Sequence, residues 1–304
     1  MSKNTTLISW SILISLMLVW GSSFILIKRS LEYFSAIEVG LLRVVVAFLF
    51  LLPSALIRLK KIDKKHRNYL IISGIIGSLI PAFMFAIAQT QINSYLAGTL
   101  NSLTPLFTLL IGLLFFKIKA SWYNAIGVFI GLFGAVGLIY ASSGNLGFAN
   151  NIKYSSLILI AAICYAFNVN FVKIYLKKID SFTITAFTFF YIGIPSLLYT
   201  IAFTDIPNKI IHEQEALIGL GYISILSIFG TAIALMAFNK LIKMSSPLFA
   251  SSVTYIIPII AILWGILDGE IFKLAYLIWF ILILVGVLLV NTSSKAKPKD
   301  KEST

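Results

Sequence analysis

Cysteine is almost missing from this chain of 304 residues: Cys164 stands alone, inside an apolar run. One thiol can close no internal disulfide and build no structural zinc site. Histidine is nearly as scarce, with only His66 and His212, and the 11 Asp and Glu residues gather into nothing larger than the pairs Glu213/Glu215, Asp268/Glu270 and Asp300/Glu302. Membrane enzymes that modify lipid or isoprenoid groups need clustered His, Asp or Glu for acid–base or metal chemistry. No Asp or Glu stands deep in an apolar run, so that class falls behind. The Gly–Lys–Ser of a phosphate loop is absent, which argues against ATP drive within the chain. No cofactor or metal is implied. No linker is long enough for a separate soluble domain, and charged residues make up only 12% of the chain, about half the share in soluble domains.

What is present is apolar: 59% of the residues, with a mean hydropathy of +0.98. A water-soluble fold of this length could not hide so much apolar side chain, and lipid removes the problem. The lipid bilayer is therefore the first partner. Apolar stretches run at roughly 7–27, 36–57, 69–88, 93–116, 121–141, 154–172, 181–203, 216–239, 246–267 and 274–292. Each is about 20 residues, or about 30 Å as a helix, the thickness of a hydrocarbon core. The first is read as a span rather than a signal peptide, being long for an h-region and lacking an A-x-A site. The fold class expected is all-α integral membrane with ten transmembrane helices.

The net charge of +13 marks a membrane face rather than a nucleic-acid surface. With the N-terminus inside, 18 Lys and Arg fall on the inner side and 5 on the outer, leaving Arg43 within a span. This positive-inside bias places both termini in the cytoplasm. Residues 293–304 read as a polar, disordered cytoplasmic tail.

The spans repeat. An offset of 153 residues carries Pro105 onto Pro258, Phe85 onto Phe238, Ala97 onto Ala250 and Gly112 onto Gly265. Nearer the start of each half an offset of 145 carries Trp20 onto Tyr165, Lys28 onto Lys173 and Arg43 onto Thr188. The repeats are 7–141 and 154–292, five spans each. Five is odd, so the second copy is inverted relative to the first. Lys117 and Glu270 are equivalent under this pattern and fall on opposite faces.

The segment Trp20–Gly21–Ser22–Ser23–Phe24, Arg43, Pro105 with the Gly-rich fifth span, and Pro258 followed by Gly269–Glu270 and Gly286 resemble EamA-type members of the drug/metabolite transporter superfamily. The resemblance covers about residues 7–292. It implies two inverted five-helix EamA repeats in the plasma (inner) membrane, and movement of metabolites such as amino acids, frequently outward. Two positions depart from the pattern: Lys117 stands where a Glu is common, and Thr188 stands opposite Arg43.

An intramembrane charge needs a partner or a wet cavity. Arg43 therefore reads either as a fork for an anionic group or as a structural residue bonding helix-end carbonyls or Glu38. Asn101, Thr104, Pro105 and Thr108 share one helix face, as do Ser251, Thr254, Tyr255 and Pro258. Both proline helices are expected to bend, free a carbonyl and line a central cavity. Trp20, Ser22, Tyr165 and Asn168 complete the candidate substrate-binding set, with packing and interfacial anchoring as the alternatives. The glycines 127, 131, 134 and 137 read as close helix packing, within the bundle or in a homodimer. Asp268 and Glu270 read as solvated or capping residues. Glu38 is the only positional candidate for a proton carrier, so proton coupling is expected to be weak or indirect.

The function expected is alternating-access transport of a small-molecule substrate, zwitterionic or anionic with an apolar part. A drug exporter or lipid flippase is the nearer alternative, and a membrane lipid-modifying enzyme the more distant.

Overall fold

The computed structural model describes residues 3–58, 64–116, 121–143 and 147–292. Lys117, Gly144–Asn145 and the tail 293–304 lie outside the described residues, so the Lys117 correspondence and the tail are not addressed by it. Helices α1 (Leu7–Ser30), α2 (Ala36–Ile57), α3 (His66–Gln89), α4 (Ser94–Phe116), α5 (Trp122–Ala141), α6 (Phe148–Tyr175), α7 (Ser181–Phe203), α8 (Gln214–Met244) and α9 (Pro247–Leu267) are each long and apolar enough to cross a bilayer. A tenth, α10 (Tyr276–Thr292), has 17 residues, about 25 Å of rise. Large apolar side chains such as Leu114, Phe129, Phe203 and Leu267 point outward, the inverse of a soluble protein. The architecture is an all-α integral membrane bundle, as the hydropathy pattern predicts.

Helix starts follow local capping chemistry. Ser35 caps α2 in a reciprocal box with Glu38, and its counterpart 145 residues on, Asp180, caps α7 by accepting from the Thr183 N–H at 2.9 Å. Each start is clamped by a cation. Lys209 Nζ donates to both oxygens of Glu38 at 3.0 Å. Arg58 donates to Asp180 at 3.2 Å and to Thr183 at 3.0 Å.

The helices pack in matched pairs. α1 lies against α8 and α9, while α6, its counterpart, lies against α3 and α4. α2 packs on α7 and α5 on α10. Exchanging the two halves leaves this pattern unchanged, as a two-fold pseudo-axis requires. At the α2–α7 contact a methyl on Gly193 would sit 2.3 Å from Phe48, its own counterpart at the offset of 145, so the axis passes there. With five spans per half, such an axis lies in the membrane plane and the repeats are inverted.

Helix irregularities are also paired. α3 carries a π-helical stretch at Ile75–Leu79 and α8 one at Ile228–Ile233, 153 residues apart. α4 breaks at Ser102–Leu103, just before Pro105, and α9 passes through a 3-10 turn at Ser252–Tyr255 before Pro258. A proline nitrogen cannot donate to the carbonyl four residues back. In α4 that carbonyl, on Asn101, is taken up by the Thr104 hydroxyl at 2.6 Å. The expected break is present, but the freed Asn101 carbonyl is spent internally rather than offered to a ligand. Thr254 Oγ1 reaches the Ser102 carbonyl at 3.4 Å, joining the two broken helices.

Candidate functional site

The middle turns of α1–α4 and α6–α9 leave a cavity between the halves, with about 80 Å³ of water-accessible volume, room for several water molecules. No residue of α5 or α10 lines it. Its walls include two aromatic pairs that are each other's counterparts. Trp20 meets Phe238 edge-on at 4.9 Å, and Tyr165 stacks near Phe85 at 6.0 Å. Each pair takes one ring from each half, so the walls belong to both. The wall helices approach closely because glycine permits it. A methyl on Gly77 would lie 2.1 Å from the Asn168 amide, and one on Gly230 would lie 2.9 Å from Ser23 Oγ. Gly77 and Gly230 are 153 residues apart, and Ser23 and Asn168 are 145 apart, so this contact too is made twice.

The polar groups are few and held. Trp20 Nε1 donates to the Gly230 carbonyl at 2.8 Å, inside the α8 π stretch. This places Trp20 in the cavity wall, not at an interface. Arg43 Nε donates to Thr231 Oγ1 at 3.0 Å, and Thr231 donates onward to the Leu226 carbonyl at 3.2 Å. The Tyr165 phenol lies within reach of the same guanidinium. Asn168 Oδ1 accepts from Ser73 at 2.7 Å. Arg43 is the one charged residue among those lining the cavity. A fixed cation in an apolar, aromatic chamber suits a ligand with one anionic group and an apolar body.

Of the residues singled out from sequence, Trp20, Arg43, Asn101, Tyr165, Asn168 and Thr254 line the cavity. Four do not. Ser22 lies one residue, about 100° of helix, from the cavity-lining Ser23; its hydroxyl donates to the Leu18 carbonyl and accepts from Trp264 Nε1 at 2.9 Å. The Tyr255 hydroxyl turns to the Val287 carbonyl on α10 at 3.1 Å. Pro105 and Pro258 are buried behind the breaks they impose. Reading by helical stripe missed the contribution of α3 and α8: Gly77 and Ser78, with Gly230 and Thr231 in the matching places. The offset that aligns the prolines also aligns these pairs, and that was the available signal.

Three further expectations meet the geometry. Glu38 is not Arg43's partner; it sits in the first turn of α2, bound to Ser35 and Lys209, away from the cavity. The glycine face of α5 is used inside the bundle: a methyl on Gly286 of α10 would lie 2.4 Å from the Gly131 nitrogen. Asp268 and Glu270 are buried rather than solvated, their side chains 8% and 2% exposed. Gly269 between them has φ +82, a conformation glycine adopts freely. Both carboxylates turn to Lys28, at 2.7 and 2.9 Å. Asp268 also pairs with Arg29, and Glu270 accepts from the Ser94 N–H at 2.9 Å, capping α4.

A cavity at the meeting of two inverted five-helix repeats, reached by bent helices from both, is the architecture of a membrane transporter. The EamA-like transporter family model matches residues 8–140 and again 152–292. The chain belongs to that family. Among its relatives, the uncharacterized inner membrane transporter YedA of Escherichia coli K12 is 29% identical over 289 residues, covering 92% of this chain and 89% of that protein. An uncharacterized transporter of Archaeoglobus fulgidus is 26% identical over 283 residues, covering 92% and 98%. A solved structure titled only as a crystal structure of protein superposes with a TM-score of 0.68 at 18% identity, covering 97% of this chain and 99% of that one, and shares the fold.

Proposed function

We propose that this transporter carries small metabolites with an anionic or zwitterionic head and an apolar part, such as amino acids or related organic compounds, outward across the inner membrane. The observation that carries the reading is Arg43: a guanidinium held by Thr231, facing an aromatic chamber lined by no carboxylate. An anionic head pairs with the fork, and the rings of Trp20, Phe85, Tyr165 and Phe238 cover the apolar part. The paired irregularities of α3 with α8 and α4 with α9 supply two equivalent sets of bending points, which alternating access between two inverted halves requires. The charge asymmetry of the loops supports cytoplasmic termini.

The test is uptake into proteoliposomes of a panel of labelled amino acids and organic acids, with lipid scrambling measured in parallel. Arg43→Gln is expected to lower uptake of the active compound about tenfold or more, the worth of a charged hydrogen bond. Unchanged uptake by a normally folded Arg43→Gln protein, or scrambling without metabolite uptake, would sink the reading. Metabolite levels in knockout and overexpressing cells give the direction.

A further inference from the structure

Beside the main cavity, towards the inner face, lies a second and much smaller space between α3, α6, α7 and α8. It has about 10 Å³ of water-accessible volume and is lined by Ser73, Ser78, Asn168, Thr185, Thr188 and Asn239, with two apolar neighbours. That volume holds one atom-sized guest and no organic group.

Three of its donors are already engaged, which leaves oxygen acceptors facing the space. The Ser73 hydroxyl donates to Asn168 Oδ1 at 2.7 Å. The Asn239 amide donates to Thr185 Oγ1 at 3.0 Å, and Thr185 donates to the Ser181 carbonyl at 3.1 Å. Lone pairs on these oxygens remain. Thr188 is 5% exposed, and its Oγ1 finds no partner among the described residues. An unpartnered hydroxyl in such a place costs free energy unless a guest engages it. No acidic or basic side chain lines the space. A divalent ion, which takes carboxylates in most protein sites, is therefore a poor fit.

The repeat sets this space opposite a charged one. Thr188 is the counterpart of Arg43, and Ser78 the counterpart of Thr231, at the offsets of 145 and 153. In the outer half, the fixed cation of Arg43 bonds Thr231. The matching place in the inner half has hydroxyl and amide oxygens around an atom-sized space. We propose that this space binds a sodium ion, a mobile counterpart of the fixed guanidinium. Asn168 and Ser78 line both spaces, so sodium and substrate occupancy are linked. That linkage, though not the sodium site itself, rests on the transport reading above.

The test is thermal melting of the purified full chain in detergent, in sodium, potassium or choline chloride at equal ionic strength. Sodium is expected to raise Tm saturably by about 3 °C, the effect of an ion present at several times its Kd. Potassium and choline give no such rise. Thr188→Val abolishes the increment and Thr188→Ser restores it; if Thr188→Val does not fold, Ser73→Ala is read in the same way. An equal rise in potassium, no rise in sodium (a site for water only), or a sodium increment that survives Thr188→Val would overturn the proposal. Melting needs no substrate, so its outcome is independent of whether the transport assay succeeds.

Discussion

Lys28 and Lys173 hold the same place in the two halves, 145 residues apart at the ends of α1 and α6, yet they are satisfied in different ways. Lys28 reaches across to the other half and meets two carboxylates, Asp268 and Glu270. Lys173 stays within its own half and meets three backbone carbonyls at the end of α8: Ile242 at 2.8 Å, Lys243 at 3.1 Å and Ser245 at 2.5 Å. The first arrangement ties the two halves together through ion pairs to buried carboxylates. The second caps a helix end and, among the described residues, makes no tie across the halves. Equivalent positions in an inverted repeat can thus act as a latch on one face and a cap on the other.

The largest effect expected is at the latch. Glu270→Gln removes a nearly inaccessible charge from Lys28 and should cost about 3 kcal/mol, the low end for breaking a buried pair, because Asp268 remains. It should also open the cavity on the side of the latch, seen as faster reaction of an Ile27→Cys variant with a membrane-impermeant maleimide. Lys173→Met should cost about 1 kcal/mol as a lost helix cap and leave that labelling unchanged. Equal labelling in the two variants would break the comparison.

A smaller contrast lies at the wall glycines. Gly77→Ala drives a methyl into the Asn168 amide, whereas Gly230→Ala meets Ser23 Oγ at 2.9 Å and Leu226 Cδ1 at 3.3 Å, both side-chain ends that can rotate away. Flux in proteoliposomes should fall about tenfold for the first and far less for the second. Equal losses would mean that the two walls are interchangeable.

The smallest effect is at the helix starts. Burial alone would raise the Asp180 carboxyl, but hydrogen bonds from Thr183 and the charge of Arg58 outweigh it and hold the group below its usual range. A carboxyl lowered on folding stabilises the fold above its unfolded value, about 3.9, and that contribution is lost as pH falls through the folded value. Asp180→Asn should therefore lower Tm slightly between pH 5 and 7, with the gap to wild type closing below about pH 4. The group is more than half exposed, so the gap should stay under about 1 kcal/mol. A gap that does not change down to pH 3 would assign the effect to the cap's shape rather than its charge.

The spans were legible because lipid forces each crossing to declare itself as about 20 apolar residues. The repeat was legible because two prolines and two aromatic anchors keep their spacing. Arg43, Trp20 and Asn168, which line the cavity, stood out because polar groups are conspicuous in an apolar run. Gly77 and Gly230 were passed over because glycine in a membrane helix looks like packing, and only the facing side chain shows that it lines a chamber. Ser22 was taken for Ser23 because composition does not fix helical phase to within one residue. The burial of Glu270 could not be read locally at all, since its partner stands 242 residues away.

The α5–α10 seam has a mechanical consequence. Backbones at Gly127, Gly131 and Gly286 touch without side chains between them, and neither helix borders the cavity. A joint of that kind holds one helix of each half at a fixed distance from the other, as a hinge pin does. If the halves rock, the pin stays still while the other eight helices travel. Enlarging Gly286 would then jam the motion without touching a single residue of the chamber.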